Sequence, residues 1–197
     1  MDPHPPPPPD LHKLSPGTVT LETTVTLWRV YRLAGAPLFF GRTATQRFDD
    51  PAGTYGVLYA SESPHGAFIE SVGWDTGRRA VGWDELGTRG VVLFRPRRKL
   101  RVFDLDGPAL RQMGADARLI AGGDHAISRT WSAALHAHPH RVDGLRYRAR
   151  HDNREFSLAL FDRCKANVVA FERRALTAPN TLPLLAELLD HYGMGLL

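Results

Sequence analysis

Thr24 to Tyr31 reads Thr-Val-Thr-Leu-Trp-Arg-Val-Tyr, a run of β-branched and aromatic residues that marks a strand. Outward from it, a Gly/Pro loop at Gly35 to Pro37 and a turn-rich stretch at Asp49 to Gly53 lead to a second strand, Tyr55 to Ala60. Ser63-Pro64 then starts a helix, with serine as N-cap and proline at the first helical position, running to about Val72. Val91 to Arg95 and Leu100 to Phe103 read as strands around the basic turn Arg97-Arg98-Lys99. Asp124 suits the cap of a helix ending near Ala137, whose Ile127, Trp131, Ala134 and Leu135 share one face. Leu145 to Arg148, Ser157 to Phe161 and Asn167 to Phe171 read as three late strands. A closing helix, about Leu182 to Tyr192, turns Leu185, Leu188 and Leu189 inward. Helices do not alternate with strands, so the expected class is α+β with a mostly antiparallel or mixed sheet, not a doubly wound one.

The 197 residues, 43% hydrophobic and 23% charged, suffice for one compact domain with its own core. Pro3 and the run Pro5 to Pro9 favour an extended polyproline segment. Residues 1–17 are therefore expected to be a disordered Pro-rich tail, and residues 18–197 a single domain. No apolar run reaches the roughly 18–20 residues of a membrane span, and no basic-then-apolar start marks a secretory signal. One cysteine, Cys164, cannot form an internal disulfide. The expected location is the cytoplasm, away from membranes. The net charge of +4 rests on arginine, since lysine occurs only at Lys13, Lys99 and Lys165. An anionic partner would suit that charge, and arginine grips phosphate bidentately where lysine cannot; codon bias alone would also produce it.

Phosphate loops, nucleophile elbows and zinc-protease motifs are missing. His136, His138 and His140 alternate around Pro139 in no standard ligand spacing, so no metal is expected there. Cys164 follows an apolar strand and reads as an inert small residue. Arg29 and Tyr31 share one face of the first strand, and Val30 and Arg32 the other. An arginine inside an apolar strand is either ion-paired, solvated, or aimed into an anion site. Helical spacing puts Phe68, Ile69 and Val72 on one face and Glu70 away from it, the pattern of a solvated glutamate. The echo Val72-Gly73-Trp74-Asp75 and Val81-Gly82-Trp83-Asp84 is too short for a repeat architecture. Arg95 to Arg101 lacks interleaved aromatics, so direct nucleic-acid binding is not expected.

The order of several stretches is informative. Trp28-Arg29-Val30-Tyr31-Arg32 is followed by Gly41-Arg42, Arg47-Phe48, Val57-Leu58-Tyr59-Ala60-Ser61 and Ala67-Phe68-Ile69-Glu70. Further on come Trp131 to His136, Val142 to Arg148, Arg150-His151-Asp152 and Ala159 to Arg163. Together, over about residues 26–175, these resemble the RES-domain toxins of bacterial toxin–antitoxin pairs. The resemblance implies an ADP-ribosyltransferase-like split sheet, mixed or antiparallel, flanked by helices around a nicotinamide cleft. It gives Arg29 and Glu70 the roles of the arginine and glutamate for which the family is named. It also places Arg47 and Tyr59 in the pocket. In that comparison Tyr147-Arg148-Ala149-Arg150 stands where the family has tyrosine–x–serine–arginine, with Ala149 in the serine's place.

The resemblance further implies a toxin that cleaves the nicotinamide–ribose bond of NAD⁺ by hydrolysis or phosphorolysis. Glu70, Arg29 and Tyr59 would be its catalytic residues, and Arg47, Arg29 and Tyr59 would hold the substrate. It implies no metal and no cofactor beyond NAD⁺ as substrate, and a helix-turn-helix, Xre-like antitoxin as partner. Two alternatives stay open: an ADP-ribosyltransferase acting on a protein target, and a non-catalytic nucleotide- or partner-binding module attenuated by Ala149.

Overall fold

A computed structural model describes residues 5–123 and 125–197. In chain order the elements are β1 (Thr18–Leu21), β2 (Leu27–Arg32), β3 (Val57–Ser61), α1 (Pro64–Ile69), β4 (Ala80–Val81), α2 (Trp83–Gly87), β5 (Arg89–Pro96) and β6 (Leu100–Asp104). After these come α3 (Gly107–Gln112), α4 (Arg118–Ala121), α5 (His125–Ala137), β7 (Gly144–Arg148), β8 (Phe156–Phe161), β9 (Val168–Ala175), α6 (Leu182–His191) and β10 (Gly195–Leu196).

Eight strands form one open sheet in the order β1-β6-β7-β8-β3-β2-β5-β9, and β10 pairs β4 apart from it. Within the large sheet only β6 and β7 run parallel; the other neighbours are antiparallel. The fold is therefore α+β with a large mixed sheet flanked by helices, as the lack of strand–helix alternation predicts. Strands β5 and β6 adjoin in sequence but do not pair: β5 lies between β2 and β9, and β6 between β1 and β7. Their basic turn is tied elsewhere, with Arg98 donating to both carboxylate oxygens of Asp143 at 2.9 and 2.6 Å.

The pairing of β2 positions the site. This strand pairs with β5 along its whole length, from Leu27↔Phe94 to Arg32↔Arg89. It meets β3 only at Trp28↔Ser61, so the sheet is stitched there and splits beyond that point. One core fills the side under α5, with Trp131, Leu135, Phe48, Phe103 and Phe161 at its centre. A second packs α1 and α6 onto β2 and β5 through Phe68, Val91, Leu93, Leu185 and Leu188.

Part of residues 1–17, the stretch expected as a disordered tail, packs against the domain. Leu11 is 4% exposed and belongs to the α5 core, in a single 3-10 turn, Leu11–Lys13. His138 Nε2 lies 3.2 Å from the Leu11 carbonyl, and Trp131 Nε1 donates to the Pro5 carbonyl at 2.9 Å. Burial of Leu11 just after the proline run ties the segment down, and the extended prolines need not change conformation for it. Residues 1–4 and the cap residue expected at Asp124 lie outside the described residues. Among the described residues no helix is long and apolar enough to cross a membrane.

Candidate active site

A cavity of about 890 Å³ occupies the split in the sheet. Arg29, Arg47, Tyr59 and Glu70, the four residues singled out from the sequence, all line it, together with Ser61, Tyr147, Arg150, His151, His125 and Ser157.

Arg29 projects from β2 where β3 diverges, and its Nη1 donates to the Tyr59 carbonyl at 2.5 Å. Burial holds its guanidinium down to about 10, against an ordinary 12.5. Its Nε is buried without a hydrogen-bond partner. Among the described residues no carboxylate comes within ion-pair distance of it. Of the fates open to an arginine in an apolar strand, the structure shows the one aimed into a pocket.

Arg47 reaches the cavity from the loop between β2 and β3. It too is buried, its pKa is lowered by burial, and Nη1 donates to the Gly122 carbonyl at 2.7 Å. A buried carboxylate shapes this loop. Asp49 Oδ2 accepts from the backbone N–H groups of Thr45 and Gln46, both at 3.0 Å, and Oδ1 accepts from the Tyr59 hydroxyl at 3.0 Å. The same hydroxyl accepts from the Phe48 N–H at 2.9 Å. Tyr59 thus spends its polar end on holding the Arg47 loop to β3 and leaves its ring on the cavity wall. Asp50 pins the next turn by accepting from Ala52 N at 3.2 Å, Tyr55 N at 3.2 Å and the Thr54 hydroxyl at 2.6 Å.

Ser63 Oγ caps α1 by accepting from Gly66 N at 3.0 Å, as its sequence suggests, but the helix stops at Ile69 with Glu70 as its C-cap. Periodicity points Glu70 to solvent. It is instead half-buried in the cavity, where Oε1 accepts from the Arg150 N–H at 2.9 Å. Burial raises its pKa above the ordinary 4.5, against the lowering by that N–H, Arg47 and Arg150. Its backbone is still helical and it points away from the buried Phe68, Ile69 and Val72, as helical spacing has it; what lies on that side is the cavity rather than bulk solvent.

Ser157 is not recognisable as a site residue from the sequence. Cross-strand register places Trp28, Ser61, Ser157 and Tyr147 in one row across β2, β3, β8 and β7, and all four line the cavity. The Ser61 and Ser157 hydroxyls lie 3.2 Å apart. Ala149, expected at the position of a functional serine, is 1% exposed and lines a neighbouring hollow with Leu105 and Leu110. Only the alternation of β8, extended by its unseen register with β7 and β3, could have found Ser157.

The remaining candidates fall away from the cavity. His136 stacks on Tyr55 with centroids 3.7 Å apart. His138 Nδ1 accepts from His140 N at 3.2 Å while Nε2 faces the Leu11 carbonyl, so both its nitrogens are taken. Cys164 is buried, its thiol pushed up to about 12 by desolvation.

Two desolvated guanidiniums, without carboxylate partners within ion-pair distance among the described residues, and one raised carboxyl share a cleft in the split sheet of an α+β protein. The RES domain family matches residues 26–183, and the chain belongs to that family. Among solved structures, a chain of the M. tuberculosis MbcT-MbcA toxin-antitoxin complex is similar in fold. Its TM-score is 0.63 at 18% identity, covering 85% of this chain and 92% of that one. A comparison with curated proteins found no match.

Proposed function

We propose that this protein is the toxin of a toxin–antitoxin pair and cleaves the nicotinamide–ribose bond of NAD⁺. The observation that carries the reading is the pair Arg29 and Arg47, buried and free of carboxylate partners among the described residues, across from Glu70 in one cavity. Buried cations with no carboxylate within ion-pair distance suit a dianionic ligand such as a pyrophosphate, which arginine grips through charge-assisted hydrogen bonds. The cavity's size lies toward the upper part of the roughly 300–1,000 Å³ usual for small-molecule sites.

In this reading the bond between ribose C1′ and the pyridinium nitrogen breaks, and its electron pair leaves with neutral nicotinamide. Positive charge develops on the ribose as in glycoside hydrolysis. The Glu70 carboxylate stabilises that charge and holds the ribose hydroxyl. A water or phosphate oxygen then bonds to C1′; attacking water passes its proton to the Glu70 carboxylate, which returns it to solvent. Tyr59 offers a ring face for stacking. NAD⁺ is the substrate, and the chemistry calls for no metal.

Trp74 and Phe39, 60% and 52% exposed, stand at the cavity's lining. Exposed aromatics beside a functional cleft favour a protein that covers it. The solved structural neighbour comes from a toxin–antitoxin complex, and an antitoxin of the helix-turn-helix, Xre-like kind is our reading of the partner. The same aromatics suit the approach of a protein acceptor, which makes ADP-ribosyl transfer the second reading. The non-catalytic reading rests on Ala149; Ser157, which lines the cavity where Ala149 does not, supports the catalytic one.

The test is NAD⁺ loss on adding purified protein, with phosphate present or absent and Glu70→Gln as control. Loss with the wild type alone supports the proposal, and its phosphate dependence separates the two acceptors. Label from the adenylate half on a protein, with nicotinamide released in equal amount and no free ADP-ribose product, supports transfer. Intact NAD⁺ with no label on any protein overturns both.

A further inference from the structure

His65, Glu187 and His191 lie outside the cavity, where the start of α1 meets the end of α6. Their ligand atoms all fall within 4.8 Å of one another. His65 Nε2 is 2.8 Å from Glu187 Oε1, and the two imidazole rings are 4.5 Å apart. Glu187 and His191 are four residues apart on α6, so one helical turn stacks them on the same face. His65 comes from the other helix, its orientation set by the Ser63-Pro64 start.

Two imidazoles and a carboxylate form the donor set of borderline transition metals, zinc above all; magnesium and calcium prefer oxygen throughout. Zinc takes such atoms at about 2.0–2.2 Å, which requires them to draw closer than the widest spacing seen here. Side-chain rotation supplies that movement, since Glu187 and His191 side chains are 52% and 35% exposed. The surrounding charges are mixed. Asp152 Oδ2 lies 3.9 Å from His191 Nε2 and adds negative charge, while itself accepting from the Tyr192 hydroxyl at 3.3 Å. Arg154 Nη2 comes within 3.5 Å of the same imidazole nitrogen, but its side chain is 74% exposed and can turn away into water.

We propose that His65, Glu187 and His191 are a three-ligand site for a zinc-class metal ion, with the fourth position open to water. Bound there, the ion clamps α6 onto α1. Because Glu70 caps the far end of α1, the clamp also fixes the helix that carries the cavity's carboxyl. Metal binding there does not rest on the reaction proposed above.

Calorimetric titration of the EDTA-treated, dialysed full chain with Zn²⁺ tests it. The wild type is expected to bind one equivalent that His65→Gln/His191→Gln does not. Zinc at a hundredfold over its Kd should raise the wild-type Tm by roughly 5 °C or more, and Mg²⁺ should not. Should the double variant fail to fold, Glu187→Gln decides. Its exposed side chain leaves the metal-free Tm at the wild-type value, and its zinc affinity should fall at least tenfold. Equal zinc uptake by wild type and Glu187→Gln, which would place the ion on others of the nine histidines, overturns the proposal. So does no uptake at all.

Discussion

The backbone N–H of Arg150 donates to Glu70 Oε1 at 2.9 Å, joining the loop after β7 to the C-cap of α1. That bond orients the carboxyl, while burial holds its pKa above 4.5. The folded state therefore releases this proton at a higher pH than the unfolded chain does. Above both values the ionised, desolvated carboxylate subtracts from stability; below 4.5 it does not. Glu70→Gln should thus abolish NAD⁺ cleavage yet leave the Tm at neutral pH equal to or above the wild type. The wild-type activity should fall off on the acid side at a pH above that of an ordinary glutamate. A pH–rate profile with paired thermal melts checks both; an active Glu70→Gln would remove Glu70 from the catalytic role.

Among the described residues Arg29 has one hydrogen bond, to a carbonyl, and an unpartnered buried Nε. Lysine keeps the charge but not the fork. Arg29→Lys is expected to lower kcat/KM about 10- to 100-fold, the scale of losing a hydrogen bond to a charged group. Steady-state kinetics on NAD⁺ measures it, and unchanged kinetics would show that the guanidinium's geometry is not used.

Tyr59→Phe keeps the ring but removes the hydroxyl shared by Asp49 and the Phe48 N–H. Two buried polar groups lose a partner, which costs about 2 kcal/mol and roughly 4–8 °C in Tm. Activity should drop alongside, because the Arg47 loop loosens. A melt that matches wild type would show that Asp49 holds the loop unaided.

Ser157 and Ala149 separate cleanly. Ser157→Ala should reduce turnover, since its hydroxyl is on the cavity wall. Ala149→Ser should not raise it, since Ala149 faces a different hollow. Kinetics on both variants decides; a large gain from Ala149→Ser would restore Ala149 to the serine's functional position.

Leu11→Ala tests the docked N-terminal segment. Leu11 is buried against the α5 core, so truncation should cost about 2 kcal/mol and lower Tm by roughly 4–8 °C. Wild-type stability in this variant would return residues 5–14 to the status of a free tail.

Strand β2, the Ser63-Pro64 helix start and the leucine face of α6 are all legible from the chain, because propensity, capping and periodicity act over a few neighbouring residues. The α+β class comes from their order. The resemblance to a family supplies Arg29, Arg47, Tyr59 and Glu70, and for Glu70 it runs against the periodicity. Tertiary structure alone decides how they meet. Glu70 is drawn inward because the face of α1 away from Phe68 borders the cavity and a backbone N–H eighty residues away donates to its carboxylate. Ser157 enters the cavity through register with Tyr147 and Ser61 on two other strands, and a one-residue slip would reverse its face. Leu11 is buried by α5, an element more than a hundred residues distant. Each of these depends on which distant segments pair, and local preference carries no information about that choice.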